Sequence, residues 1–335
     1  MEAFFLGGNT AGGYRGYMRE EIARAGRAIL LKGGPGTGKN SLIRRLAALA
    51  AERGMDCELW LCSGDPASAD GVYIKDLDAV VADATAPHAV EASLPVIRDE
   101  ICDLAAALSR QKLLAARGEI EDLFAVKKGC YENAYMHLKS ALRYYRKKEE
   151  VYLRYADPGA VRRLAAAHAL RREPVPRGGG EGARKRFCAA VTADGVVRRD
   201  EFLAGRRVHL LKGGAPGVRM FARCFLELVG ADILLLDPLT GEEIEGVVAG
   251  EDAYVAHAGA FGSGAEIIDL TPLEGDAAGM CAFYDGRERE EIARAVSALS
   301  AAREAHLAAE KFFVAAADFS VTRRIGDSLA ASLFG

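Results

Sequence analysis

Leu31-Lys32-Gly33-Gly34-Pro35-Gly36-Thr37-Gly38-Lys39-Asn40-Ser41 decides the reading of this 335-residue chain. The run before it, Ala28-Ile29-Leu30-Leu31, is short and apolar, as a buried parallel strand is. After it, Leu42, Ile43, Leu46, Leu49 and Ala50 recur at helical spacing until Arg53-Gly54. A G-x-x-x-x-G-K loop between a strand and a helix N-terminus is built to hold phosphate. Its glycines let successive N–H groups converge on anionic oxygens, and the helix adds its positive end. Lys39 reaches the outer phosphates. Gly33, Gly34, Pro35, Gly36, Thr37, Gly38, Lys39, Asn40 and Ser41 are therefore the expected contacts of a nucleotide, ATP or GTP.

The stretch is written a second time, in broken form, as Leu211-Lys212-Gly213-Gly214-Ala215-Pro216-Gly217-Val218-Arg219-Met220-Phe221. Val218 replaces the last glycine, Arg219 the lysine, and Met220 offers no metal ligand. Other matches follow in the same order. Phe5 to Gly13 aligns with Phe187 to Gly195, Asp70-Gly71-Val72 with Glu245-Gly246-Val247, and Tyr155-Ala156-Asp157 with Ala316-Ala317-Asp318. The expected architecture is α/β, with two tandem P-loop domains, each a parallel sheet with flanking helices and an appended helical hairpin. The first spans 1–172, with its hairpin from about 105. A Pro/Gly-rich linker spans 173–185, and the degenerate copy spans 186–335, with its hairpin from about 287. A structural or regulatory role is expected for the second copy, which buttresses or completes the Lys39 site.

Asn40 stands where a Ser or Thr hydroxyl normally ligates Mg²⁺. An amide oxygen can serve a hard cation less well, and Ser41 comes one residue late. Asn40, Ser41 and Asp83 are the expected Mg²⁺ ligands, with Asp83 the main one, because Ala79-Val80-Val81-Ala82-Asp83 reads as a buried strand ending in an acid. Asp65 and Asp70, in the loop after the apolar run Cys57–Cys62, are candidate general bases beside Lys39; turn-forming aspartates are the alternative. His88, just past Asp83, reads first as a packed or exposed histidine.

Residues 105–172 are rich in helix formers. Leu123, Val126, Cys130, Ala134, Leu138, Ala141, Tyr145 and Tyr152 form an apolar stripe on one long helix. Asp157-Pro158-Gly159 turns it into a second helix bearing Arg162 and Arg163, ordinary surface charges or an arginine finger. Tyr131, Tyr135, Lys139, Arg143, Tyr144, Arg146, Lys147 and Lys148 interleave aromatic and basic groups, but interspersed glutamates favour a solvated helix face over nucleic acid.

With 27% charged residues and a net charge of −3, no global basic excess draws the chain to nucleic acid. The opening residues carry no basic stretch, no apolar run approaches a membrane span, and the seven scattered cysteines suit reduced thiols. A cytoplasmic location, without membrane partners, is expected.

The arrangement resembles an uncharacterised bacterial family of two-copy P-loop ATPases. The matching segments are Gly7-Gly8-Asn9-Thr10, Leu31 to Lys39, Cys62-Ser63-Gly64-Asp65, Asp70-Gly71-Val72 and Asp83 to His88. The resemblance implies a P-loop fold and departs from the family at Asn40, where the family has Ser, and at 218–220. The expected function is nucleotide binding with slow hydrolysis in the first copy, possible protein partners being unspecified. A small-molecule kinase and a non-catalytic nucleotide sensor are the alternatives.

Overall fold

The computed structural model describes residues 1–172 and 182–335. The first half contains strands Glu2–Phe5 (β1), Gly7–Thr10 (β2) and Gly13–Gly16 (β3), helix Met18–Arg24 (α1), strand Arg27–Lys32 (β4) and helix Lys39–Glu52 (α2). Strands Cys57–Leu61 (β5), Ala69–Ile74 (β6), Ala79–Asp83 (β7) and Asp99–Asp103 (β8) follow, then helices Arg110–Ala115 (α3), Arg117–Tyr155 (α4) and Pro158–Ala169 (α5). The second half contains Arg184–Arg186 (β9), Ala189–Thr192 (β10), Gly195–Arg198 (β11), Arg207–Lys212 (β12) and helix Ala215–Val229 (α6). It ends with Ile233–Leu236 (β13), Ile244–Ala249 (β14), Asp252–Val255 (β15), Glu266–Asp269 (β16) and helices Ala277–Ala316 (α7) and Phe319–Phe334 (α8). Most of the segment read as a linker, 173–181, lies outside the described residues. Its far end is strand, because β9 begins at Arg184. The second long helix likewise starts at Ala277, ahead of the expected boundary.

The two halves have one six-stranded sheet each, in the orders β1-β5-β6-β7-β4-β8 and β9-β13-β14-β15-β12-β16. Strand for strand, the orders are the same. Neither sheet is all-parallel as expected: β6 and β14 run against both of their neighbours. The segments 62–68 and 75–78 flanking β6 are short, and a parallel crossover needs a dozen residues or more, so a meander is the only economical path.

The halves meet on their own counterparts. Phe5 N–H donates to Phe187 O and Phe187 N–H to Phe5 O, both at 3.0 Å. Asn9 Nδ2 donates to Val191 O at 3.0 Å. These are the residues that the repeat aligns, so the contact is isologous, about an approximate twofold axis. One apolar cluster runs through both halves, joining Phe5, Tyr17, Ile29 and Leu31 to Phe187, Phe221, Phe225 and Tyr254.

Helices α4 and α7, 39 and 40 residues long, lie antiparallel along one another. Each is about 60 Å in length at the usual rise per residue. Ala134, Leu138 and Ala141 share a buried cluster with Ala295, Ala298 and Leu299, alanines alternating with leucines along the seam. The expected stripe holds from Ala134 to Tyr152. Val126 is exposed instead, and Ile120 is the buried position at that end.

Each hairpin follows its own half in sequence but docks on the other. Asp318 N–H donates to Ala107 O at 2.8 Å, and its counterpart Asp157 N–H donates to Leu273 O at 2.9 Å. The α5 residues Val161 and Ala165 join the cluster that holds Phe221 and Phe225 of α6, while α8 lies on α2, with Arg45 and Asp327 paired at 2.6 Å. Arg162 and Arg163 are therefore carried by a helix that covers the second loop, not the first. No helix among the described residues is long and apolar enough to cross a membrane.

Candidate functional site

The 33–41 loop leaves the C-terminal end of β4 and enters α2 at Lys39. Gly36 and Gly38 hold φ values of 66° and 89°, a region that side chains with a Cβ rarely enter. Lys39 Nζ donates to Gly33 O at 2.7 Å and to Thr85 Oγ1 at 3.1 Å, bridging the loop from within. It also pairs with Asp83 Oδ2 at 3.3 Å. The sheet register explains that meeting: β7 is parallel to β4, with Asp83 opposite Leu31. The other oxygen of Asp83 accepts from Thr85 N–H at 3.0 Å and Thr85 Oγ–H at 2.6 Å.

Deeper in the site, Asp70 Oδ2 lies 3.9 Å from His88 Nδ1, which in turn is 3.4 Å from Tyr14 OH. Burial pushes the Asp70 carboxyl up to about 6, with His88 opposing the rise and the charge of Asp83 adding to it. His88 is buried rather than exposed, and its Nε2 has no hydrogen-bond partner. An orphaned ring nitrogen in such a place is costly unless a ligand meets it. Asp65 is spent on a turn: its carboxylate accepts from Ser68 Oγ at 2.6 Å and Ala67 N–H at 3.3 Å. Of the two candidate bases, Asp70 is the one whose carboxyl feels the charges of both Asp83 and Lys39.

Asn40 and Ser41 do not join Asp83. Asn40 Oδ1 accepts from Ala69 N–H at 2.9 Å and Arg44 Nε at 3.0 Å, pinning the first residue of β6 to α2. Ser41 is exposed. An amide reaches the β6 backbone where a serine hydroxyl, one bond shorter, does not. Asn40→Ser is accordingly expected to lower stability by about 1 kcal/mol, the usual worth of one such bond, in a denaturant titration. Among the described residues, no group of three or more His, Cys, Asp or Glu is placed to hold a metal ion.

The second half roofs this loop. A Cβ on Gly34 would stand 2.9 Å from the Phe313 ring, and one on Gly36 would stand 2.7 Å from Val314. Thr322 Oγ–H donates to Thr37 O at 3.2 Å. Phe313 and Val314 belong to α7 and Thr322 to α8, so the surface of the loop is shared between the halves.

The second loop has been consumed by its helix. Without Gly38's counterpart, α6 starts at Ala215, so Arg219, opposite Lys39 in the repeat, lies in the second turn. Arg219 is buried against Glu149 at 3.1 Å, Glu243 at 3.3 Å and the Tyr145 ring at 4.1 Å. Gly214 N–H, where a phosphate would be expected, donates instead to the Glu274 carboxylate. The second loop thus carries its own built-in anion.

The stripe of basic and aromatic residues on α4 is taken apart by packing. Tyr135 OH donates to Asn9 Oδ1 at 3.2 Å, Lys147 pairs with Glu150 at 2.5 Å, and Lys148 is buried between Asp285 and Glu288 at 2.7 and 2.9 Å. Two residues that the sequence reading passed over, Lys127 of α4 and His306 of α7, lie 3.1 Å apart, and the charges of Lys39 and Asp65 act on His306. In comparisons with known proteins, no family model, curated protein or solved structure matches the chain.

Proposed function

We propose that the first half is a P-loop nucleoside triphosphatase, holding ATP or GTP on residues 33–41 and cleaving it slowly, with the second half acting as a structural and regulatory pseudo-copy. The observation that carries this reading is the junction of Lys39 with both its own loop and the strand-end acid Asp83. A lysine so placed meets the outer phosphates, while the glycine backbone and the start of α2 supply N–H donors. The orphaned Nε2 of His88, whose other nitrogen lies 3.9 Å from Asp70, supports a ligand near that acid. Mg²⁺ suits a site with one carboxylate plus the phosphates themselves, and Asp83 is the residue to hold it; when bound, it would neutralise developing phosphate charge.

In this reading Asp70 takes the proton of the attacking water, because a buried carboxyl shifted toward neutrality is well tuned for that step. Asp70→Asn should leave nucleotide affinity within a few-fold of the parent. Phosphate release from the triphosphate, with no acceptor present, should fall by roughly 10²- to 10⁴-fold. Release that depends on an added acceptor would point to a kinase, and an unchanged rate would remove Asp70 from the chemistry. A second reading, a nucleotide sensor without turnover, is favoured by one observation: the Asn40 amide is tied to β6 rather than offered to a metal.

A further inference from the structure

The spacing that relates Asp157 to Asp318 also pairs Lys127 with Glu288, Tyr145 with His306 and Glu149 with Glu310. Around the second loop, Tyr145 and Glu149 cover Arg219, and Glu288 holds Lys148. There both Arg219 and Lys148 have acids beside them. At the first site Lys127 and His306 take the places of Glu288 and Tyr145, while Glu310, over Gly36, keeps the acid of Glu149. Lys127 Nζ lies 3.1 Å from His306 Nδ1, and among the described residues no carboxylate lies within 4.0 Å of it. Lys148, on the same helix, has two acids. Burial, with the charges of Lys127 and Lys39 beside it, holds the His306 imidazole down at about 4, and burial lowers the Lys127 ammonium as well. Tyr131, one turn along α4 from Lys127, approaches Gly64 at the rim of the same site.

A lysine with no carboxylate in salt-bridge reach, set against a histidine and half out of water, is poorly compensated until an anion arrives. We propose that Lys127 and His306 receive the terminal phosphate of the bound nucleotide, so that the α4–α7 helix pair distinguishes triphosphate from diphosphate. The inference rests on the nucleotide reading above. Lys127 is the charge-assisted donor and His306 the group that positions it. They come from different halves, which gives the degenerate copy a part in reading the ligand.

The test compares affinities for a non-hydrolysable triphosphate analogue and for the matching diphosphate, in parent, Lys127→Gln and Lys127→Arg proteins. The parent should prefer the triphosphate by about ten- to a hundredfold, the worth of a charge-assisted contact. Lys127→Gln should abolish the preference while leaving diphosphate affinity unchanged, and Lys127→Arg should keep part of it. Without ligand, Lys127→Gln should unfold no more easily than the parent, because it removes a buried, unpaired charge. A purely structural lysine would show the opposite. Retained preference in Lys127→Gln, or no preference in the parent, overturns the assignment. A parent that binds neither nucleotide overturns the functional reading itself, before any variant is made.

Discussion

Arg186→Met is expected to destabilise the chain by about 3–5 kcal/mol, the usual result of stranding buried acids by removing their partner. Arg186, in β9 of the second half, is fully buried. It donates to Glu21 at 2.7 Å and Glu58 at 2.6 Å, both in the first half. Trp60 Nε1 donates to the same oxygen of Glu58 at 2.7 Å, so that carboxylate keeps one partner in the variant and Glu21 keeps Arg184 at 3.2 Å. Burial by itself would raise the Glu21 carboxyl, but Arg186, Arg184 and Arg24 together hold it below its ordinary value. A depressed carboxylate stabilises the fold above its unfolded pKa, and that contribution is lost as pH falls through the folded value. The deficit of Arg186→Met should therefore shrink in acid. Denaturant titrations at neutral and acidic pH check both statements. Because one apolar cluster spans both halves, the parent should unfold in a single transition. A separate, earlier loss of one half would count against the shared core.

Lys39→Ala is expected to lower triphosphate affinity by about 3 kcal/mol, roughly a hundredfold or more, since on the proposed reading it removes the loop's own ammonium from the outer phosphates. Calorimetric titration measures this directly. The same experiment on Arg219→Lys, which restores the motif's lysine in the second copy, should reveal no new site. There the helix has absorbed the loop, and Glu274 already accepts from Gly214 N–H. A second binding event in that variant would show that a lysine alone makes a phosphate site, against the account given for the broken copy.

Much of this was legible in the chain itself, for local reasons. Strand, glycine loop and helix occupy consecutive residues, so apolar spacing and glycine chemistry place β4, the loop and α2 to within a residue or two. Asp83 was readable because an acid closing an apolar strand marks the ligand edge of a sheet. The repeat extends further than its letters suggest, since the two sheets share one strand order. The antiparallel β6 was missed although its short flanking segments announced it. The exchange of hairpins was not readable: periodicity tells which face of α4 is apolar but not which half it will cover. The partner of Asn40 was hidden for a related reason, because Ala69 N–H is brought to it only by the sheet. Lys127 and His306 were passed over in the sequence. A signal was present, however, in the change from Glu288 to Lys127 and from Tyr145 to His306 between the aligned copies.

The central claim is that this chain holds a nucleotide at one loop of two. It is tested most directly by counting sites: an equilibrium titration of the full-length protein with a non-hydrolysable triphosphate, with and without Mg²⁺, repeated on Lys39→Ala. The account predicts one nucleotide per chain, strengthened by Mg²⁺ and weakened about a hundredfold or more by Lys39→Ala. No binding, two sites per chain, or unchanged affinity in Lys39→Ala would contradict it.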